Sequence, residues 1–114
     1  TTQVWTEVLS HAQKVLLSTA RGLVANPEVL CIHKPTMVLD DSPSRRILAL
    51  LREFVDLKGI EADSALMHMR RPRTCIITSS KRAGIECAHR VFHVSLQDGI
   101  REISVDELSA EMFC

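Results

Sequence analysis

Any chemistry in this chain has to come from a few polar residues at the ends of apolar runs. His33 and Lys34 follow the run Val29-Leu30-Cys31-Ile32. An imidazole beside an ammonium can hold an anion at the carboxyl end of a strand, where open α/β sheets bind ligands. The plainer reading is a solvated strand end. A lysine cannot act as a general base near neutral pH, and imidazole is a poor ligand for Mg²⁺, a hard ion that takes oxygen. Ser10, followed three residues later by Gln13, is a capping-box pattern. Arg70, Arg71 and Arg73 either dock on an acidic neighbour or on phosphates, or lie on a solvated connection. Beside them, Met67 and Met69 suit either a local cover over the core or an adaptable contact surface. Cys87, His89 and His93 suggest zinc, but on an extended strand residues 89 and 93 stand ~13 Å apart and match no compact zinc motif. Cys114 has no acid–base partner near it in sequence for nucleophilic chemistry. No G-x-x-x-x-G-K-S/T run occurs, so no loop of that kind cradles phosphates. These residues imply neither a metal centre nor a bound cofactor.

The 114 residues carry 14 Lys and Arg against 14 Asp and Glu, a formal net charge of zero. Neutrality removes bulk attraction to nucleic acid or anionic lipid. With 46% hydrophobic and 25% charged residues the mix is that of an ordinary globular domain, and the length suits one domain with a modest core. No apolar run approaches the ~20 residues that a membrane helix needs. Cys31, Cys75, Cys87 and Cys114 lie at wide spacings without a C-x-x-C pair, which fits a reducing compartment such as the cytoplasm or an organelle matrix or stroma. The chain opens on Thr1 without an apolar leader, as expected of a product trimmed from something longer.

The elements that must position these groups follow from periodicity. Residues 9–25 read as a helix whose apolar face is Leu9, Ala12, Leu16, Ala20, Leu23 and Val24, stopped by Asn26-Pro27. Val29 to Ile32 is a continuous apolar run, the mark of a strand buried on both faces in a parallel sheet. Ser42-Pro43 predicts a helix start, with Ile47, Leu50, Leu51, Phe54 and Val55 on its inner face and Gly59 closing it. A second buried strand spans Cys75 to Thr78, a short helical or loop segment about 80–88, and a third strand Val91 to Val94. Asp98-Gly99 turns the chain into a short strand, Ile100 to Ile103, and Ser104 with Glu107 caps a last helix. The alternation predicts an α/β fold with a parallel sheet.

In this order the string resembles the second half of an ABC-type ATPase domain, over roughly residues 8–103. Leu9-Ser10-His11-Ala12-Gln13 stands where that family has Leu-Ser-Gly-Gly-Gln, and Ala20-Arg21 follows at the family's spacing. Val29 to Ile32 looks like the Walker B strand (29–33), Pro35-Thr36 and Leu39-Asp40 like the family's Pro-Thr and D-loop. Residues 74–79 look like the strand leading to the switch histidine, Ala88-His89-Arg90-Val91 like the Ala-Asp-Arg-Val beyond it, and Gly99 sits at the hairpin glycine. The resemblance implies one half domain over 1–114: a partial P-loop NTPase sheet flanked by helices, without its Walker A half.

The departures bear on function. The Walker B aspartate position holds His33, the catalytic glutamate position Lys34, the switch histidine position Ser80, and the two signature glycine positions His11 and Ala12. Ser10, Gln13 and Asp40 remain, but in the family such residues act on a partner's nucleotide, so Ser10, Gln13, His33, Lys34, Asp40 and Ser80 are expected as a vestigial nucleotide site. The family fold also places the Walker A strand between those equivalent to 74–79 and 91–95. Without it, either another polypeptide fills the gap or the two strands pair directly. The expected function is therefore a non-catalytic structural or interaction subunit held by a protein partner in a larger, membrane-peripheral or organellar assembly. The alternatives are the signature-bearing half of a full transporter protein, or an enzyme of altered chemistry built on His33, Lys34 and Asp40.

Overall fold

The computed structural model describes residues 4–60, 64–80, 82–104 and 106. A short helix α1, Trp5–Val8, precedes α2, His11–Ala25. The capping box of α2 closes: the Gln13 N–H donates to Ser10 Oγ at 3.2 Å, and the Ser10 N–H donates to Gln13 Oε1 at 2.9 Å. At the other end Asn26 adopts the left-handed conformation, φ 51°, and its N–H donates to the Leu23 carbonyl at 3.1 Å. Asparagine tolerates that conformation, and Pro27 prevents any continuation.

The buried line of α2 differs from the one its leucines suggest. Thr19 and Leu23 are buried and Ala12 packs on the core, whereas Leu16 and Ala20 are exposed and Val24 is 79% exposed. A threonine competes for the inner face because its hydroxyl donates to the Val15 carbonyl at 2.9 Å, so no polar group is buried unpaired.

Strand β1, Val29–Ile32, pairs in parallel with β2, Thr74–Ile77, in the register Val29↔Thr74 to Ile32↔Ile77. The neighbouring parallel strands are as the alternation predicts. Their burial on both faces is not: Leu30, Ile32, Cys75 and Ile77 pack on the core, while Val29 and Ile76 are 57% and 55% exposed. Among the described residues α2 and α3 cover one face only.

Helix α3, Asp41–Asp56, supplies most of the core through Ile47, Leu48, Leu51 and the fully buried Phe54. Its N-cap is Asp40 in extended conformation, so Ser42 and Pro43 lie inside the first turn instead of starting the helix. A proline there removes a donor that has no helical partner anyway. Leu48 takes the inward place expected of Leu50. The helix ends as Lys58 turns left-handed, φ 58°, and the Gly59 N–H donates to the Phe54 carbonyl at 3.0 Å.

A 3₁₀ segment, Ser64–Met69, leads to the arginines. They are more than a solvated connection. Arg70 donates to the Leu57 carbonyl at 3.1 Å, Arg71 pairs with Glu28 at 2.9 Å, and Arg73 Nε donates to Asn26 Oδ1 at 3.1 Å. Arg71 and Arg73 tie the entry to β2 to the α2–β1 turn, and Arg70 ties it to the end of α3. Met69 is 74% exposed and covers nothing in the core; the Met67 side chain lies outside the described residues.

Helix α4, Arg82–Glu86, precedes the antiparallel hairpin of β3, Val91–Ser95, and β4, Gly99–Ile103. Arg90 grips Glu102 with two hydrogen bonds, 3.0 and 2.8 Å, and lies 5.2 Å over the Phe92 ring. That hydrogen bonding holds the Glu102 carboxyl below its usual range and the guanidinium above its own. Among the described residues the strands form two sheets of two, β1-β2 and β3-β4. The third strand therefore does not join the parallel sheet, and β2 and β3 do not pair directly. The helix expected from Ser104 onward, and Cys114, lie outside the described residues.

Candidate functional site

At the carboxyl end of β1 the chain turns sharply under control of one hydroxyl. Thr78 Oγ1 accepts the Lys34 N–H at 2.9 Å and shares a 2.8 Å hydrogen bond with His33 Nδ1. The Thr78 N–H in turn donates to the Ile32 carbonyl at 3.2 Å. Lys34 is left-handed, φ 46°, a conformation that costs a side-chain-bearing residue roughly 1–2 kcal/mol. Buried Pro35 and Thr36 follow, with the Met37 N–H donating to the Lys34 carbonyl at 3.3 Å, so the turn is fixed on both sides.

This turn forms one wall of a groove of about 540 Å³ between α2 and β1. From α2 come His11, Lys14, Val15, Ser18, Thr19 and Gly22, a line at helical spacing. Gly22 brings the two elements together: a Cβ there would meet Leu30 Cδ1 at 3.2 Å. The opposite end, where α2 begins and β1 finishes, gathers His11, Lys14, His33 and Lys34. Among the described residues no carboxylate lines the groove.

Of the residues expected as a vestigial nucleotide site, only His33 and Lys34 border this groove. Ser10 and Gln13 satisfy each other at the start of α2, exposed. Asp40 caps α3 without a side-chain bond to the helix, and Ser80 is exposed beyond β2. Thr78 and Lys14 carry the geometry yet were not among the candidates. Lys14 stands one turn from His11 and so was within reach of helical spacing. Thr78 meets its partners from 44 and 45 residues away, and no local pattern announces that.

The cysteine and histidines near the hairpin go separate ways. Arg52, on α3, donates to the Cys87 carbonyl at 2.8 Å and to Asp56 Oδ2 at 3.0 Å, with His89 Nε2 3.9 Å from Asp56 Oδ1. His93 Nδ1 is buried without a hydrogen-bond partner among the described residues. Burial raises the Cys75 and Cys87 thiols above their usual pKa. Among the described residues no three His, Cys, Asp or Glu side chains are grouped to hold a metal ion.

About half of the chain is similar to ATP-binding subunits of ABC importers. It is 37% identical over 54 residues to a phosphonates import ATP-binding protein of Synechococcus, covering 47% of this chain and 20% of that one. A phosphonates import ATP-binding protein of Rhodopseudomonas palustris is 35% identical over 72 residues, 59% of this chain and 26% of its own. A phosphate import ATP-binding protein of Mycobacterium intracellulare is 42% identical over 48 residues, 42% and 17% respectively. The chain thus spans about a quarter or less of these curated relatives. No family model and no solved structure matches it. The α/β architecture with its small parallel sheet is compatible with part of a P-loop NTPase fold. Among the described residues no helix is long and apolar enough to cross a membrane.

Proposed function

We propose that the chain is a non-catalytic derivative of an ABC-type ATPase domain, serving as a structural or interaction subunit of a larger assembly. The observation that carries this reading is the end of β1. Where the resemblance calls for an aspartate and a glutamate, the structure has His33 tied through Nδ1 to Thr78, and Lys34 in a fixed turn. Phosphoryl transfer needs Mg²⁺ held by oxygen ligands and a group that orients the attacking water. An ammonium supplies neither, and it would repel the metal. The remaining side chains of the expected site, Ser10, Gln13, Asp40 and Ser80, are occupied with helix ends or exposed. Among the described residues two separate two-stranded sheets leave edges without a strand partner, which supports a fold completed by further polypeptide.

The purified chain, incubated with Mg²⁺ and ATP, is expected to release phosphate no faster than buffer. It is also expected to co-purify from its source in a stable complex, unchanged in His33→Ala and Lys34→Ala variants. Mg²⁺-dependent hydrolysis that disappears in Asp40→Ala would overturn this reading.

A further inference from the structure

We propose that Thr78 is an acyl-acceptor site: with His33 as its base, the hydroxyl takes the acyl group of an activated carboxylic ester onto the chain. The inference goes beyond the interaction reading above, because the acyl group stays on the chain that receives it. The site lies one residue past the carboxyl ends of β1 and β2. Three observations carry it. The first is the pairing of groups. A threonine hydroxyl is a weak nucleophile until a base takes its proton, and a base serves when it lies about 2.6–3.2 Å away. His33 Nδ1 is 2.8 Å from Thr78 Oγ1, and both residues are exposed, so an ester can reach them.

The second observation is the direction of the protons. Thr78 Oγ1 already accepts the Lys34 N–H at 2.9 Å. A hydroxyl has one proton and two lone pairs. Were Nδ1 to donate as well, both pairs would be spent and the hydroxyl proton would have no acceptor among the described residues. With Nδ1 accepting, the hydroxyl proton points at the imidazole and one lone pair stays free for attack. The third is rigidity. The Thr78 N–H is tied to the Ile32 carbonyl at 3.2 Å, and His33 is followed by left-handed Lys34 and buried Pro35. Nucleophile and base are thus held in place before an ester arrives, which is what makes proximity effective. The Lys34 N–H also steadies the negative charge that grows on Oγ1 as its proton leaves.

These groups suit a carbonyl centre better than a phosphoryl one. Phosphoryl transfer calls for Mg²⁺ held by oxygen ligands, and among the described residues no carboxylate lines the groove that His33 and Lys34 border. Acyl transfer to a hydroxyl needs a base and no metal. In the step, the free Oγ1 lone pair attacks the ester carbonyl as the hydroxyl proton passes to His33 Nδ1. The new Oγ1–C bond is kept, the bond to the leaving phenolate breaks, and the imidazolium gives its proton to that leaving oxygen. No electrons are gained or lost overall.

The test incubates the 114-residue chain with p-nitrophenyl acetate, follows nitrophenolate release, and locates the acetyl group by tandem mass spectrometry of a proteolytic digest. An acetyl ester on Thr78 is expected, formed faster in the native chain than in the same chain unfolded by urea. Thr78→Ser should keep the label at position 78, and Thr78→Val should lose it. His33→Asn keeps a polar group near the Nδ1 position but no base, and should slow labelling of Thr78 roughly tenfold or more. It leaves the hydroxyl and its Lys34 bond in place, so it decides the matter even if Thr78→Val folds poorly. Acetyl groups found only on cysteine or lysine side chains would overturn the proposal. So would equal rates at Thr78 in the native and unfolded chains, or a His33→Asn chain labelled at the native rate. Phosphate release from ATP by the same preparation reads the non-catalytic assignment separately, so the two can fail independently.

Discussion

Thr78 does more for the end of β1 than either of the charged residues beside it. One hydroxyl oxygen receives the Lys34 N–H and bonds the His33 ring, across 44 and 45 residues of sequence. Thr78→Val keeps the shape and removes both bonds, so it is expected to lower the unfolding free energy by about 1 kcal/mol. Urea denaturation measures this, and His33→Ala, which leaves the Lys34 bond intact, should cost less. Equal losses would show that the imidazole, not the backbone amide, is what Thr78 holds. Ser10 and Gln13 make the contrasting case: their bond spans three residues, so residue type and spacing disclosed it before any fold was known. Thr78 sits at an unremarkable place in an apolar run. Its partners are set by the β1–β2 register, which is a property of two strands brought together and not of either alone.

At the scale of elements α2, α3 and the strands stand close to where periodicity puts them. Helix α1 and the 3₁₀ segment were not announced, and the faces of α2 and of the parallel strands differ from those expected. Helix α2 depends on its cap: Ser10→Ala should lower stability by about 1 kcal/mol and fray the first turn, where His11 and Lys14 line the groove. Circular dichroism with urea unfolding reads both effects, and an unchanged midpoint would mean that packing of Ala12 on the core, not capping, fixes the helix start. The rotated face of α2 was hidden because a spacing rule ranks leucine above threonine, and Thr19 evades that rule by bonding Val15. The exposed face of β1 and β2 was hidden for another reason. An unbroken apolar run says that a strand can be covered twice, and nothing within the run says whether a second cover is there. Val29 and Ile76 are built for one and stand exposed.

The molecule as a whole is thin and open. Its radius of gyration is 16.1 Å, against roughly 13 Å for a compact domain of this length, and its shortest dimension is 24 Å. The core is one cluster around Phe54, and the hairpin lies apart from the parallel sheet. Among the described residues Ile103 is buried, and Arg52 and Asp56 of α3 hold the Cys87 carbonyl and His89 of the segment that leads into it. A two-stranded hairpin is marginal by itself. Amides of β3 and β4 are therefore expected to exchange with deuterium through openings of lower free energy than those of α3 near Phe54. Uniform protection across both would mean that the two sheets unfold as one unit. The split into two sheets lay beyond the sequence because an alternating helix–strand order fixes what can neighbour what, not which neighbours are present.

The outward face of β1 carries Cys31, exposed, while Cys75 on the adjoining strand turns toward the core, where burial raises its thiol pKa. An alkylating reagent therefore meets Cys31 before Cys75. Nature has left a label-ready sulfur on the very surface whose concealment matters, and its silence in a native preparation would record that something had come to lie across it.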